Sequence, residues 1–300
     1  MKDKAYYLAH PWDREDDESI LEIYDVESGA RTVAAEFDSL IEAPNWSRDG
    51  ASLYFNRRGR ICRFSLADGE VTEIDSGFAD ACNNDHVLSP DGTMLAVSHA
   101  AREDHLSRVY TLPIGGGTPR LVTPLGPSYL HGWSPDGSTL AYCAARGGEY
   151  DVYTIPAGGG AETRLTDAPG LNDGPEYSPD GRHIWFNSVR SGTMQIWRMN
   201  ADGTAQTQMT DDETRNHWFP HVSPDGKQVV TLAYRAGDVE PGQHVPHRHV
   251  ELRLMDADGR NLRTIAAFFG GQGTINVNSW APDSRRFAFV RYRIRGVGEL

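Results

Sequence analysis

The run "WSPDGSTLAYCA" at residues 133–144 joins a tight-turn signal to a short apolar stretch. Proline presets φ at the second position of such a turn, and aspartate and glycine accept the conformations that follow. Near copies of the turn occur six times: "WSRDG" from Trp46, "LSPDG" from Leu88, "WSPDG" from Trp133, "YSPDG" from Tyr177, "VSPDG" from Val222 and "WAPDS" from Trp280. The turns begin at residues 47, 89, 134, 178, 223 and 281, so their spacings are 42, 45, 44, 45 and 58. Self-similarity at such a period is the signature of a repeat architecture.

Each turn is followed by an apolar run, such as "SLYFNR" (52–57) or "HIWFNS" (183–188). A second strand ending in a glycine turn comes next, as in "DVYTIPAGGG" (151–160) or "QIWRMNADG" (195–203), and then a last short strand. No stretch shows sustained helical periodicity. Four antiparallel strands per repeat of this length predict propeller blades. The fold class is therefore all-β, a six-bladed β-propeller of four-stranded antiparallel blades. Residues 1–300 read as one propeller domain, with repeats starting near 41, 83, 128, 172, 216 and 275. The third and fourth strands of the last blade are missing downstream, but a matching pair, "LEIYDVESGARTVAAEF", stands at 21–37. N- and C-terminal strands are expected to share that blade, removing the open edges that invite aggregation. The run "KAYYLA" (4–9) has no place in this scheme.

The formal net charge is −13, with 29 Lys and Arg against 42 Asp and Glu. That excludes a phosphate-backbone binder, which needs clustered cations, and fits a soluble protein that repels nucleic acid and membranes. The short basic runs "NRRGR" (56–60) and "VRYRIRG" (290–296) read as solvated strand faces. No run approaches the roughly 20 apolar residues of a membrane span. The first 19 residues lack an apolar signal core, so a cytoplasmic location is expected, or a periplasmic one had a signal been removed. Cys62, Cys82 and Cys143 form no CxxC pair and read as free thiols.

The repeats resemble the TolB-type propeller group, also called PD40 or WD40-like. The resemblance runs through "IEAPNW" (41–46), "CNNDH" (82–86), "NDGPEYSPDG" (172–181), "NSVRSGTMQIWRM" (187–199), "WFPHVSPDG" (218–226) and "FGGQGTINV" (269–277), and it points to the stand-alone branch of that family. It implies a propeller and, in Tol-type proteins, protein–protein contacts without catalysis. A looser likeness joins the chain to the propeller oligogalacturonate lyases, which hold manganese with His and Gln side chains at a central site.

In a propeller the strand before each turn lines the central channel, so the non-repeating residues just ahead of the turns are the candidate site. As ligand-binding residues they supply Asn45, Asn84, Asp85, His86, Tyr129, His131, Trp218 and Asn276, and a loop adds Arg190. Both histidines of "NHWFPH" (216–221) are expected to point at the axis. The insertion "AGDVEPGQHVPHRHVE" (236–251) accounts for much of the 58-residue spacing and reads as a lid or binding loop. It brings His244, His247 and His249. Imidazoles and an amide suit a divalent metal such as Mn, Zn or Ca: His221 with a loop histidine (His244, His247 or His249), His131 or His86, and Gln272, of which His221, His247, His249 and Gln272 are the candidate ligands. The bland reading is that these histidines bond backbone and water in a polar channel. His221, Asp173 and Glu176 could serve as catalytic base and acid. No G-x-S-x-G elbow occurs, and the glycine clusters are turns rather than phosphate loops.

Two functions are compatible with this pattern. One is a small polar ligand, a carbohydrate or uronate, at a His-rich central face, with metal-assisted lyase or hydrolase chemistry. The other is a protein-interaction scaffold of Tol type, with a partner at the channel face.

Overall fold

The computed structural model describes residues 17–296. It begins with β1 (Asp17–Asp25) and β2 (Arg31–Phe37), an antiparallel pair. Five four-stranded sheets follow. The first contains β3 (Glu42–Trp46), β4 (Ser52–Arg57), β5 (Arg60–Ser65) and β6 (Val71–Glu73). The second contains β7 (Cys82–Leu88), β8 (Met94–Ala100), β9 (Ser107–Pro113) and β10 (Arg120–Leu121). The third contains β11 (Ser128–Trp133), β12 (Thr139–Arg146), β13 (Glu149–Pro156) and β14 (Thr163–Arg164). The fourth contains β15 (Asn172–Tyr177), β16 (His183–Ser188), β17 (Gln195–Asn200) and β18 (Thr207–Gln208). The fifth contains β19 (Arg215–Val222), β20 (Gln228–Arg235), β21 (Arg248–Asp256) and β22 (Arg263–Gly270). The last strand, β23 (Arg286–Ile294), pairs along its whole length with β1, from Asp17 opposite Ile294 to Asp25 opposite Arg286. The chain is a six-bladed propeller closed by its two ends, and the run 4–9 lies outside the described residues.

The repeated turn has repeated chemistry. In five blades the serine hydroxyl donates to the aspartate two residues on, as Ser134 does to Asp136 at 2.6 Å. That carboxylate also accepts the backbone N–H two residues further, and the serine oxygen accepts the N–H that opens the next strand. The sixth turn has Ala281 in place of serine and puts Ser284 at the glycine position, with φ 58. Each turn orphans few polar groups, so the strand pair it joins holds its register.

The sixth blade departs from the four-strand expectation. Its innermost segment is a 3-10 turn over Gln272–Thr274 followed by a single bridge between Trp280 and Phe287. The cause is close approach: a Cβ on Gly273 would meet the Glu42 carboxyl and the Tyr292 hydroxyl. A glycine needed at that contact weakens a regular strand.

The core lies between blades. Trp46, Leu53, Phe55 and Phe64 of the first full blade pack with Ala288, Val290 and Tyr292 of the closing blade. The outer strands β10 and β14 are two residues long and exposed, which blunts the rim against edge pairing.

One feature positions the site. All five inner strands, β3, β7, β11, β15 and β19, carry a register shift part-way along. At three of these bulges a residue takes a left-handed backbone: Ala43 (φ 57), Gly174 (φ 62) and Phe219 (φ 53). Proline follows each, at 44, 175 and 220, and its missing N–H suits a place where the ladder is interrupted. The bulge re-aims the side chains, so each inner strand has a half facing the channel mouth and a half facing the turns.

Candidate functional site

The mouth-side halves surround a cavity of about 540 Å³. Strand β7 contributes Asn84 and Asp85, β11 contributes Tyr129 and His131, and β15 contributes Asp173. The 270–276 segment adds Gln272 and Asn276, and the insertion reaches over with Gly242 and His244. The volume falls within the range of small-molecule sites, which combine apolar walls with a few converging polar groups.

Two carboxylates are buried here in different surroundings. Asp173 accepts a hydrogen bond from His131 Nε2 at 3.2 Å and another from the Gly174 N–H at 2.7 Å. Burial by itself raises an acid, yet the His131 hydrogen bond and charge hold the Asp173 carboxyl well below the usual range. His131 is raised in turn: burial opposes its charge, but Asp173 and Asp85 outweigh that. Asp85 accepts amide hydrogens from Asn83 and Asn276, each at 2.6 Å. Burial pushes it up to about 6, with His131 pulling down and Asp173 pushing up.

His131 is stacked on Phe219, with centroids 5.8 Å apart and planes 22° apart. Phe219 is the left-handed bulge residue, and the Asn187 side-chain oxygen accepts its N–H at 3.1 Å. A bulky residue in that region costs roughly 1–3 kcal/mol, and such strain concentrates at functional sites. His244 donates from Nδ1 to Gln272 and lies edge-on to Trp218, with centroids 4.4 Å apart. Burial lowers its pKa, against the nearby Asp173 charge, and its Nε2 atom is 3.7 Å from that carboxylate.

The structure brings eight of the sequence candidates to this cavity: Asn84, Asp85, Tyr129, His131, Asp173, His244, Gln272 and Asn276. The others lie elsewhere, for reasons the bulges explain. Asn45 and Glu176 follow the bulge and line a second cavity of about 270 Å³ at the turn end. Asn45 there accepts the Leu88 N–H and donates to the Asn278 carbonyl, tying three blades together. Glu176 accepts the Val222 N–H at 2.9 Å and is 2.7 Å from His221 Nδ1. The other nitrogen of His221 is 2.7 Å from the Ile275 carbonyl. The expected catalytic set His221, Asp173 and Glu176 is thus divided into two pairs, Glu176–His221 and Asp173–His131, on opposite sides of the bulge.

His86 is fully buried with Nε2 3.4 Å from the Tyr54 carbonyl, and burial lowers it to about 4. Neither histidine of "NHWFPH" faces the axis freely. His217 lies against Thr231 of β20, and burial, reinforced by Arg253, lowers it to about 3. Trp218 is core. Arg190 bonds Ser188, Gln206 and Asn172 and stacks on Trp197, away from the channel. His247 pairs with Asp17 at 2.7 Å, and His249 packs against Phe269.

The proposed metal ligands therefore do not assemble. His221 has both nitrogens engaged and His247 and His249 are occupied elsewhere, while Gln272 and the alternative imidazoles His131 and His244 reach the mouth. Among the described residues no three His, Cys, Asp or Glu side chains group as a metal ion would need. Ser107, Cys143 and Tyr150 line the cavity without having been singled out. The proline after each left-handed residue was the available signal for Phe219.

A family model described as the TolB beta propeller domain matches residues 107–244. An uncharacterized protein of Agrobacterium fabrum is 47% identical over 275 residues, covering 91% of this chain and 92% of that protein. A solved structure from Agrobacterium tumefaciens, assigned to TolB, is 47% identical with a TM-score of 0.88, covering 92% of this chain and 99% of that one. An oligogalacturonate lyase solved in complex with manganese reaches a TM-score of 0.53 at 14% identity, covering 83% of this chain and 67% of that one. That last likeness extends to the fold alone. With its repeats, its closure and a relative at 47% identity over nine-tenths of its length, the chain belongs to the TolB-like β-propeller family.

Proposed function

We propose that the mouth cavity binds a small polyhydroxylated molecule of the carbohydrate class. The observation that carries this reading is a pair of buried polar atoms in the cavity lining, Asn84 Nδ2 and Ser107 Oγ, that have no partner among the described residues. A buried polar group left without a partner costs about 1–3 kcal/mol, and ligand hydroxyls would supply what is missing. Tyr129, Tyr150 and Phe219 provide flat walls for a sugar ring.

The uronate version loses support because, among the described residues, no Lys or Arg lines the cavity. A metal-assisted step has no ligand set to run on, so none is derived. The proton-transfer groups that remain are Asp85, poised near 6, and the Asp173–His131 pair. Two carboxyls with separated pKa values are a common acid–base arrangement, and the chemistry they favour is hydrolysis rather than β-elimination from an acidic sugar.

The scaffold reading rests on a different observation. Phe78, Leu106 and Leu125, 38–54% exposed, stand on connections of the mouth face. Calorimetry with neutral mono- and disaccharides separates the two. Saturable binding weakened at least tenfold by Asp173→Asn is expected. No heat from any sugar, with a protein captured at the mouth face and released by Leu125→Glu, would favour the scaffold.

A further inference from the structure

We propose that the ligand of the mouth cavity carries a protonated amino group, as an amino sugar or other polyhydroxylated amine does. This rests on the carbohydrate-class reading and narrows it.

The argument is one of charge balance. Asp85 and Asp173 are 4% and 6% exposed, and both line the same cavity. Among the described residues no Lys or Arg lines the cavity; His131 gives its hydrogen bond to Asp173, and its charge acts on both carboxylates. Asp85 holds only neutral partners, the Asn83 and Asn276 amides. A buried charge normally has a counter-charge, because taking it out of water without one costs several kcal/mol. Here, among the described residues, two buried carboxylates share one imidazole whose hydrogen bond goes to Asp173, while the space beside Asp85 is open, which is the arrangement of a site whose second cation arrives with the ligand.

The walls agree with this. Tyr129 and Tyr150 lie with ring centroids 6.3 Å apart at the rim of the cavity, and aromatic faces attract ammonium groups within about 6 Å. Asn84 and Ser107, each more than nine-tenths buried, leave atoms free for the hydroxyls. The groups facing Asp85 are Asn83 on its own strand, His131 on β11, Asp173 on β15 and Asn276 across the channel. Tyr129 and Cys143 face it too, both raised chiefly by burial. An ammonium beside Asp85 would favour its ionised form and release a proton.

The test is calorimetry at pH 6.5 with glucosamine and galactosamine against glucose, galactose and glucuronate, in two buffers of different ionisation enthalpy. The amines are expected to bind at least tenfold more tightly than their neutral counterparts. Glucuronate should bind weakest, and only the amines should show buffer-dependent heat from proton release. Asp85→Asn should reduce the amine preference to within about twofold while neutral-sugar binding persists. Equal affinity for glucose and glucosamine in the wild-type protein would overturn the inference and leave the carbohydrate reading standing. Binding of none of the five would overturn both. The wild-type comparison needs no variant, so a poorly folding mutant cannot obscure it.

Discussion

At the scale of single residues, the outcome at each candidate was decided by which side of a bulge it occupies. Asp173 and Glu176 are three positions apart, yet one faces a cavity and the other secures blade backbones. His131 and His221 differ in the same way. Asp85 gives a direct check on the electrostatics. Its folded pKa of about 6 lies above the usual carboxylate value of about 3.9. The folded state therefore holds the proton more tightly than the unfolded chain, and the associated stability is complete below pH 4 and lost as pH rises through 6. Asp85→Asn cannot ionise. Its stability relative to wild type is expected to improve by roughly 2 kcal/mol between pH 4 and pH 7, measured by urea unfolding at the two pH values. A difference that stays flat would mean that Asp85 is not held out of water.

At the scale of elements, the turn and the bulge do opposite work. The turn fixes register by satisfying its own polar groups. Ser134→Ala removes the 2.6 Å bond to Asp136 and the acceptor for the Thr139 N–H. A loss of about 1 kcal/mol is expected, read as a lower denaturant midpoint with an unchanged m-value. The bulge interrupts register on purpose, and Phe219 pays backbone strain to place its ring against His131. The turns were legible in the sequence because their chemistry is local: Ser, Pro, Asp and Gly within four residues. The bulges were written there too, in Ala43–Pro44, Gly174–Pro175 and Phe219–Pro220, but their meaning depends on a partner strand that a single segment does not contain. The irregular inner segment of the sixth blade was not legible, because Gly273 is required by Glu42 and Tyr292, which are distant in sequence.

At the scale of the whole molecule, stability rests on closing the ring. Phe289 on β23 is fully buried and stacks on Phe268 of the neighbouring blade at 5.1 Å. Phe289→Ala should cost about 3–5 kcal/mol through lost burial and the cavity left behind, seen as a lower unfolding midpoint. A cost below 1 kcal/mol would mean that the seam is not where cooperativity resides. The sequence alone determined the blade number, the strand order within each blade and the sharing of the last blade by both chain ends, because turn signals and apolar alternation are short-range properties repeated in register. It also pointed to the segments ahead of the turns as those that reach the channel, but it misplaced the Arg190 loop. Which side chains meet there was decided only by the tertiary structure. Asp173 finds His131 rather than His221, and His244 rather than His247 or His249 reaches the mouth. Such pairings depend on bulge geometry and on the closing of six separate strands around one axis, which no single strand encodes.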